Sequence, residues 1–128
     1  MTRSRASARN AGTWLETCVA GYLNRWVDDR IERRRQTGAK DKGDIASLRH
    51  MGGRIVVQCK EYGGQANIGP WLKLVDIQRR NDDATAGFVV AKRSGSRKPG
   101  DQVVIMSLCD LVALMTGERP GEQSEGVA

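Results

Sequence analysis

Apolar residues recur about every four positions between residues 14 and 31. They are Trp14, Leu15, Cys18, Val19, Tyr22, Leu23, Trp26, Val27 and Ile31. This period predicts one amphipathic helix over residues 13–35, with Thr13 as its N-cap and the cluster Arg33-Arg34-Arg35 at its end. Residues 1–12 are polar and basic and lack the period, which predicts a flexible basic arm.

The rest of the chain alternates between strand and helix patterns. Alternating side chains before Gly52-Gly53, and an apolar run after it, predict a β-hairpin of residues 44–50 and 54–61. Pro70 suits the first turn of a second helix over about 70–82. Two further strands follow, in FVVAK at 88–92 and in DQVVIMSL at 101–108, and then a short helix over about 108–115.

These elements predict an α/β fold in the order αββαββα, with a mixed β-sheet core flanked by helices. The segments that can form a core lie within residues 13–116, so the sequence predicts a single domain there. The last residues, 117–128, are rich in Gly and Glu and are predicted to form a disordered acidic tail.

The charge balance favours a polyanionic partner. The chain of 128 residues has 21 Lys+Arg against 15 Asp+Glu, a net charge of +6. Most of the excess lies in the first 40 residues, and nucleic acid is the commonest partner of such a basic region. We expect no membrane partner, because the sequence has no long apolar run and no signal-like segment.

The cysteines and the single histidine limit the chemistry. Cys18, Cys59 and Cys109 are odd in number and widely spaced, so they predict reduced thiols in the cytoplasm rather than a disulfide framework. A zinc site needs clustered Cys and His ligands, and His50 is the only histidine. Histidine-based nucleophilic catalysis is disfavoured for the same reason.

Polar side chains end the apolar strand GRIVVQCK at 53–60. On a strand, Gln58 and Lys60 share one face while Val57 and Cys59 share the other. The hairpin brings Asp44 near them, so a carboxylate, an amide oxygen and an ammonium group converge. Mg²⁺ prefers oxygen ligands, here from Asp44, the Gln58 amide and the Cys59 backbone carbonyl. Lys60 would orient an attacking water or stabilise negative charge in phosphodiester hydrolysis.

KGDI at 42–45 followed by VVQCKEY at 56–62 resembles the PD-(D/E)xK nuclease superfamily. The QxK form resembles its Mrr-like branch, and the small size resembles the Holliday junction resolvases of archaeal and phage type. The resemblance implies a restriction-endonuclease-like core, dependence on Mg²⁺ or Mn²⁺, and cleavage of DNA in the cytoplasm of a bacterium or of a phage-infected host cell. Asp44, Gln58 and Lys60 match the motif, and Glu16 matches a helix Glu that reaches the metal in many members.

One motif position departs from the commoner pattern, since Gln58 stands where Glu is usual. A neutral amide binds a divalent cation less strongly than a carboxylate, so Asp44 and Glu16 would have to supply the charge. Asp41 is the rival of Asp44 for the carboxylate role.

Several of these residues also have purely structural interpretations. Glu16 follows Thr13 at the spacing of a capping box. Gln58 and Lys60 would suit the exposed face of an edge strand. Gln78, on the second helix, faces either the site or solvent. The tryptophans have helical spacing that is more typical of core or interface residues than of base-stacking platforms.

The sequence therefore predicts a metal-dependent DNA endonuclease, with a Holliday junction resolvase as the first choice. A Mrr-like restriction or repair endonuclease on duplex or flap DNA is the alternative, and a non-catalytic DNA-binding module is another. Cutting two opposed strands needs two active sites, which predicts a homodimer joined through residues 108–115 or the second helix. The side chains expected to contact DNA phosphates are Arg33, Arg34, Arg35, Lys92, Arg93, Arg97 and Lys98.

Overall fold

Helices and short strands alternate along residues 4–35, 38–62 and 65–121, the parts of the chain that the computed structural model describes. The helices are α1 (Arg5–Trp26), α2 (Ile68–Asn81) and α3 (Leu108–Thr116). The strands are β1 (Glu32–Arg33), β2 (Ile45–Ala46), β3 (Arg49–His50), β4 (Gly53–Lys60), β5 (Ala86–Ala91) and β6 (Val103–Ile105), and a 3₁₀ turn (Pro99–Asp101) precedes β6. The predicted mixed α/β class is confirmed. No helix within the described ranges is long and apolar enough to cross a membrane.

A four-stranded mixed sheet forms the centre of the fold, in the order β3-β4-β5-β6. β4 and β5 run parallel, from Ile55 opposite Ala86 to Lys60 opposite Ala91. α2 joins them, since parallel neighbours need a crossover connection. The other pairs are antiparallel, and β1 and β2 form a separate ladder. The carboxyl ends of β4 and β5 therefore lie side by side, where Lys60 O accepts a bond of 3.0 Å from Lys92 N–H.

Helices cover both faces of this sheet. On one face, α1 and α3 share a core whose buried residues include Leu15, Val19, Ile55, Val57, Cys59, Ala86, Val90 and Ala113. On the other face, Trp71 and Val75 of α2 pack on Val89 and Ala91 of β5. Because side chains alternate along a strand, Cys59 belongs to the α1 face and its neighbour Gln58 to the α2 face.

Helix α1 begins earlier than the hydrophobic period predicts. Its N-cap is Ser4 and not Thr13, and the Ser4 Oγ accepts a bond of 3.1 Å from Ser7 N–H. Residues 5–12 are helical, so the prediction of a flexible arm is wrong for them. Arg and Ala are strong helix formers, and this propensity acts without an apolar stripe. Residues 1–3 of the predicted arm lie outside the described ranges.

Helix α1 also ends earlier than predicted, at Trp26. Just beyond it, Asp28 Oδ1 accepts a bond of 2.9 Å from Arg30 N–H. The side-chain amide of Asn24 donates to two carbonyls of the same turn, at 2.8 and 2.9 Å. These side-chain bonds stabilise a turn in place of further helix. The cluster Arg33-Arg34-Arg35 therefore does not end a helix, and β1 pairs with β2 instead.

The β-hairpin turns one position before the predicted Gly52-Gly53. Met51 and Gly52 have φ values of 50° and 80°, and two positive φ values are the requirement of a type I′ turn. Gly53 is consequently the first residue of β4. The predicted strand over 44–50 is also divided, because Ser47 has a φ of 70° and separates β2 from β3.

The segment after α3 is packed against the domain as far as it is described. Gly117 ends α3 with a φ of 83°. Arg119 Nη1 then donates to Asp110 Oδ1 at 2.7 Å and to Thr85 O at 3.1 Å. The prediction of a disordered tail is therefore wrong for residues 117–121, because Arg119 forms an ion pair with the buried Asp110. Residues 122–128 of that predicted tail lie outside the described ranges.

Gly43 turns the chain away from β4 immediately before β2. Its φ is 89°, and the following N–H, that of Asp44, donates to Val57 O at 2.8 Å. A Cβ at Gly43 would lie 2.8 Å from the same oxygen. Glycine meets both demands, because it adopts this φ without strain and carries no Cβ.

We predict that Gly43→Ala lowers the free energy of unfolding by about 2–4 kcal/mol, since it combines a positive φ with a steric clash. Gly38→Ala is the matched control, because Gly38 has a φ of 86° but no atom within 4 Å of the added Cβ. The control should lose only the conformational part, about 1 kcal/mol. Urea denaturation measures both, and equal losses would contradict the importance of the close contact at Gly43.

Candidate functional site

Asp44 lies at the edge of β4 that faces away from β5. Since Gly43 turns the chain away there, Cys59 N–H has no backbone partner, and Asp44 Oδ2 accepts it at 2.8 Å. The N–H and C=O of one strand residue point to the same side, so the Cys59 carbonyl also lies at this edge. The predicted approach of Asp44 to the end of β4 is thus present, through the backbone of Cys59.

Glu16 reaches the same place from the middle of α1. Its carboxylate hydrogen-bonds to Asp44 and forms an ion pair of 2.9 Å with Arg33 Nη2. The capping-box interpretation of Glu16 is wrong, because the helix begins at Ser4, several turns earlier. The alternative interpretation, a helix carboxylate that meets Asp44, agrees with the geometry.

The environment of Asp44 favours its protonated form. The pKa of Asp44 is raised to about 6, mainly by burial. The charge and hydrogen bond of Glu16 and the charge of Asp41 contribute to this rise, and the hydrogen bond from the Cys59 N–H opposes it. Burial also raises the pKa of the Cys59 thiol, and the charges of Asp44 and Glu16 add to this. A half-buried carboxylate whose ionised form is disfavoured by burial and by neighbouring negative charges is a place where a positive charge would be stabilised.

Gln58 lies on the opposite face of β4 and bonds to α2. Gln58 Oε1 accepts a bond of 2.5 Å from Gln78 Nε2, which also donates to Asp41 Oδ2 at 2.9 Å. Gln58 Nε2 donates to Cys59 O at 3.3 Å. Gln78 is 0% exposed. Its side chain therefore faces the site and not solvent, which were the two predicted orientations.

Asp41 and Asp44 both belong to the site. Asp41 Oδ1 accepts from Gly43 N–H at 2.9 Å, and Asp41 O accepts from Asn81 Nδ2 at 2.8 Å. Together with the Gln78 bond, these contacts fix the loop before β2 against α2. From the sequence the two aspartates were alternatives for one role. In the structure Asp41 orients the Gln78 amide, and Asp44 meets Glu16.

Lys60 does not converge on Asp44 as the strand pattern predicted. Its ammonium group lies 5.6 Å from the centroid of the Tyr62 ring, and Tyr62 stacks on Trp71 with 5.6 Å between centroids. In the described structure no hydrogen bond or ion pair joins Lys60 to Asp44. Lys60 instead lines a pocket of about 170 Å³ with Lys92 and other residues at the carboxyl ends of the parallel strands.

The predicted DNA-contacting residues differ in their surroundings. Arg33 is paired with Glu16, and Arg34 lies 3.5 Å from Asp82 and is only partly exposed. In the basic loop after β5, which comprises residues 92–98, Lys92 and Arg97 lie 5.8 and 4.3 Å from the centroid of the Trp14 ring. Arg35, Arg93 and Lys98 are exposed, as are Arg33 and Arg97. These exposed cations are the ones best placed to meet a phosphate.

The donor set fits a hard divalent cation in part. Across the described ranges, no three His, Cys, Asp or Glu side chains form a group that could hold a metal. Mg²⁺ usually takes one or two carboxylates and keeps several waters, and Glu16, Asp44 and the Cys59 carbonyl meet that need. Gln58 does not fit, because its NH₂ group and not its oxygen lies beside Cys59 O.

Comparison with known proteins gives no match. No family model fits the chain, and neither a curated protein nor a solved structure is significantly similar to it.

Two contributions to the site could not be predicted from the sequence: the bond from Asn81 to Asp41 and the ion pair between Arg33 and Glu16. A signal for Gln78 was present, because Trp71, Val75 and Gln78 follow one helical stripe whose first two members are apolar. A polar residue that continues a buried stripe is expected to have a buried partner. Nothing in the sequence indicated the Glu16–Arg33 pair, which depends on where α1 ends.

We predict that Asp44→Asn stabilises the protein at neutral pH. The folded protein keeps a proton on Asp44 that the unfolded chain releases, so raising the pH from about 4 to about 6 lowers the free energy of unfolding. The amide removes this loss and can still accept the Cys59 N–H, for a gain of about 1–3 kcal/mol at pH 7.5. At pH 4 the variant and the wild type should differ little.

Thermal and urea unfolding from pH 4 to 8 measure the effect. The exposed Asp83 provides the control, since Asp83→Asn should leave the pH profile unchanged. A gain that is the same at pH 4 and at pH 7.5 would contradict the raised pKa as its cause.

Proposed function

We propose that the protein is an Mg²⁺- or Mn²⁺-dependent DNA endonuclease that cuts branched DNA, as a Holliday junction resolvase does. The meeting of Glu16 and Asp44 beside the Cys59 carbonyl carries the proposal. Two carboxylates and a carbonyl at an unpaired strand edge form an oxygen-rich, negatively charged position. Such a position suits a divalent cation that acts on a phosphodiester.

Glu16, Asp44 and the Cys59 carbonyl would hold the cation. When bound, it supplies Lewis acidity for the attacking water and offsets charge on the phosphate. Arg33 stays paired with Glu16, and this ion pair keeps the carboxylate turned toward Asp44. Lys60 lines a pocket with Lys92 and Arg93, so its role is to attract and orient the phosphate rather than to bond to Asp44.

The basic loop supplies the grip on the DNA backbone. Lys92 follows β5 directly, and its N–H bonds to Lys60 O at the parallel carboxyl ends. Arg93 and Lys98 are exposed on the same loop. Contacts of this kind bind phosphate without reading sequence, and their affinity falls as the salt concentration rises.

The arrangement of elements supports a restriction-endonuclease-like core. The strand–helix–strand unit β4–α2–β5 follows the segment that carries Asp44, as the resemblance to the PD-(D/E)xK nucleases implies. The free thiols of Cys18, Cys59 and Cys109 agree with a reducing compartment, and we propose the cytoplasm of a bacterium or of a phage-infected cell.

We predict that the protein nicks labelled four-way junctions symmetrically in Mg²⁺ or Mn²⁺. Asp44→Asn should lower cleavage by at least about 100-fold and leave junction binding nearly unchanged, because it removes charge at the cation site only. Glu16→Gln should also lower cleavage strongly. Asp83→Asn is the control with full activity.

The same assay separates the other two functions. Cutting of matched linear or flap DNA with equal efficiency would favour a Mrr-like restriction or repair endonuclease. Binding of DNA without any cutting in either cation would favour the non-catalytic module, which the unexpected direction of the Gln58 amide supports. Loss of junction binding in Asp44→Asn would contradict the placement of the site.

A resolvase of this kind would act as a two-fold homodimer, so that two sites face two opposed strands. α3 offers a surface for this contact, since Leu108 and Met115 are 76% and 70% exposed. We predict that Leu108→Glu with Met115→Glu gives a monomer, because buried carboxylates would face each other across the axis.

Light scattering coupled to size-exclusion chromatography measures the change. Ile77→Glu is the matched substitution on α2, where Ile77 is 56% exposed, and it should leave the dimer intact. Dissociation by Ile77→Glu alone would place the interface on α2. A wild-type monomer at all concentrations would contradict the dimer.

A further inference from the structure

The Gln58 amide has a fixed direction. Its oxygen accepts from Gln78 Nε2 at 2.5 Å, and its nitrogen donates to Cys59 O at 3.3 Å. The nitrogen is thus on the side of the Cys59 carbonyl, where a cation held by Asp44 and Glu16 would need an oxygen. Gln58 has the right position along the strand for a ligand and presents the wrong atom.

The charge of Asp41 explains this direction. An amide has a donor end and an acceptor end, and Gln78 must turn its donor end toward the Asp41 carboxylate, 2.9 Å away. The same Nε2 also faces Gln58, and only the side-chain oxygen of Gln58 can accept a hydrogen bond from it. Exchanging the ends of Gln58 would set two NH₂ groups against each other, and exchanging those of Gln78 would set an oxygen against the carboxylate.

The arrangement has a local cost that only a charged partner offsets. Gln78 Oε1 is buried without a hydrogen-bond partner among the described residues, and such an oxygen is unfavourable. The bond from Gln78 to a carboxylate is charge-assisted and stronger than one between neutral groups. Without the charge of Asp41, the bond that offsets the unpaired Gln78 Oε1 would be lost, and the Gln78 amide would no longer be held in this direction.

We infer that Gln58 is a hydrogen-bond donor to the Cys59 carbonyl and not a cation ligand, and that Asp41 sets this direction through Gln78. The inference rests on the proposed function in taking Glu16, Asp44 and the Cys59 carbonyl as the cation site. Asp41 and Gln78 are then positioning residues that keep an amide nitrogen at the position of a missing ligand. Their effect is to hold cation affinity below that of a site with a third carboxylate.

Substitutions at Gln58 test the first part. Binding of Mn²⁺ to the full chain without DNA is measured by calorimetry and by the electron paramagnetic resonance of free Mn²⁺. Gln58→Ala should change the Kd by less than about threefold, whereas Asp44→Asn should weaken binding by at least about tenfold. Gln58→Glu should tighten it by at least about tenfold, because one oxygen keeps the Gln78 bond and the other replaces the nitrogen.

Asp41→Asn tests the second part. Its side-chain oxygen can keep the Gly43 N–H bond, so its NH₂ group takes the place of Oδ2 and faces Gln78. Both glutamine amides then reverse, and Gln58 presents its oxygen to the cation. In this background, and not in the wild type, adding Gln58→Ala should weaken Mn²⁺ binding by about threefold or more.

Each outcome decides the inference. A tenfold loss on Gln58→Ala in the wild type, or no gain on Gln58→Glu, would overturn the donor role. Equal Kd values for Asp41→Asn with and without Gln58→Ala would overturn the role of Asp41. If the wild type binds no Mn²⁺, the proposed metal dependence fails separately, and binding gained by Gln58→Glu still supports the donor role. Circular dichroism establishes that each variant is folded.

Discussion

The bond from Cys59 N–H to Asp44 Oδ2 is the interaction on which the candidate site depends. A strand edge leaves backbone groups without partners, and proteins usually cover or pair them. Here the chain turns away at Gly43, and one carboxylate takes the place of the missing strand. The bond gives the buried Cys59 N–H a partner, and it also holds the Asp44 carboxylate at a partly buried position. The Glu16 carboxylate then meets it, supported by Arg33 from β1, so structural and chemical demands are met by the same few atoms.

Elements whose pattern reflects burial could be predicted from the sequence. β4 and α2 were placed nearly correctly, because the β4 apolar run and the α2 stripe both pack on the sheet. Both ends of α1 were wrong for another reason. Its first turns follow from helix propensity without burial, and its last turn is replaced by bonds from the side chains of Asn24 and Asp28. Hydrophobic periodicity contains neither kind of information.

The candidate site divides in the same way. Asp44 could be predicted, because strand alternation and hairpin geometry fix which backbone it approaches. Lys60 could not, since its stem has the expected face but its ammonium group lies by Tyr62 rather than by the carboxylates. The direction of the Gln58 amide depends on Gln78 and Asp41, which are distant from it in sequence. Such contacts arise from the packing of α2 on the sheet, and a strand motif alone does not contain them.

The position of Trp14 gives the basic loop a built-in optical signal. The indole lies against Lys92 and Arg97, and a cation over an aromatic ring alters the electrostatic field that the ring experiences. The other two tryptophans are elsewhere, with Trp26 exposed and Trp71 buried between α2 and the sheet. When an anion draws these two cations away from the ring, the emission of Trp14 changes. The loop therefore reports its own occupancy without an added label.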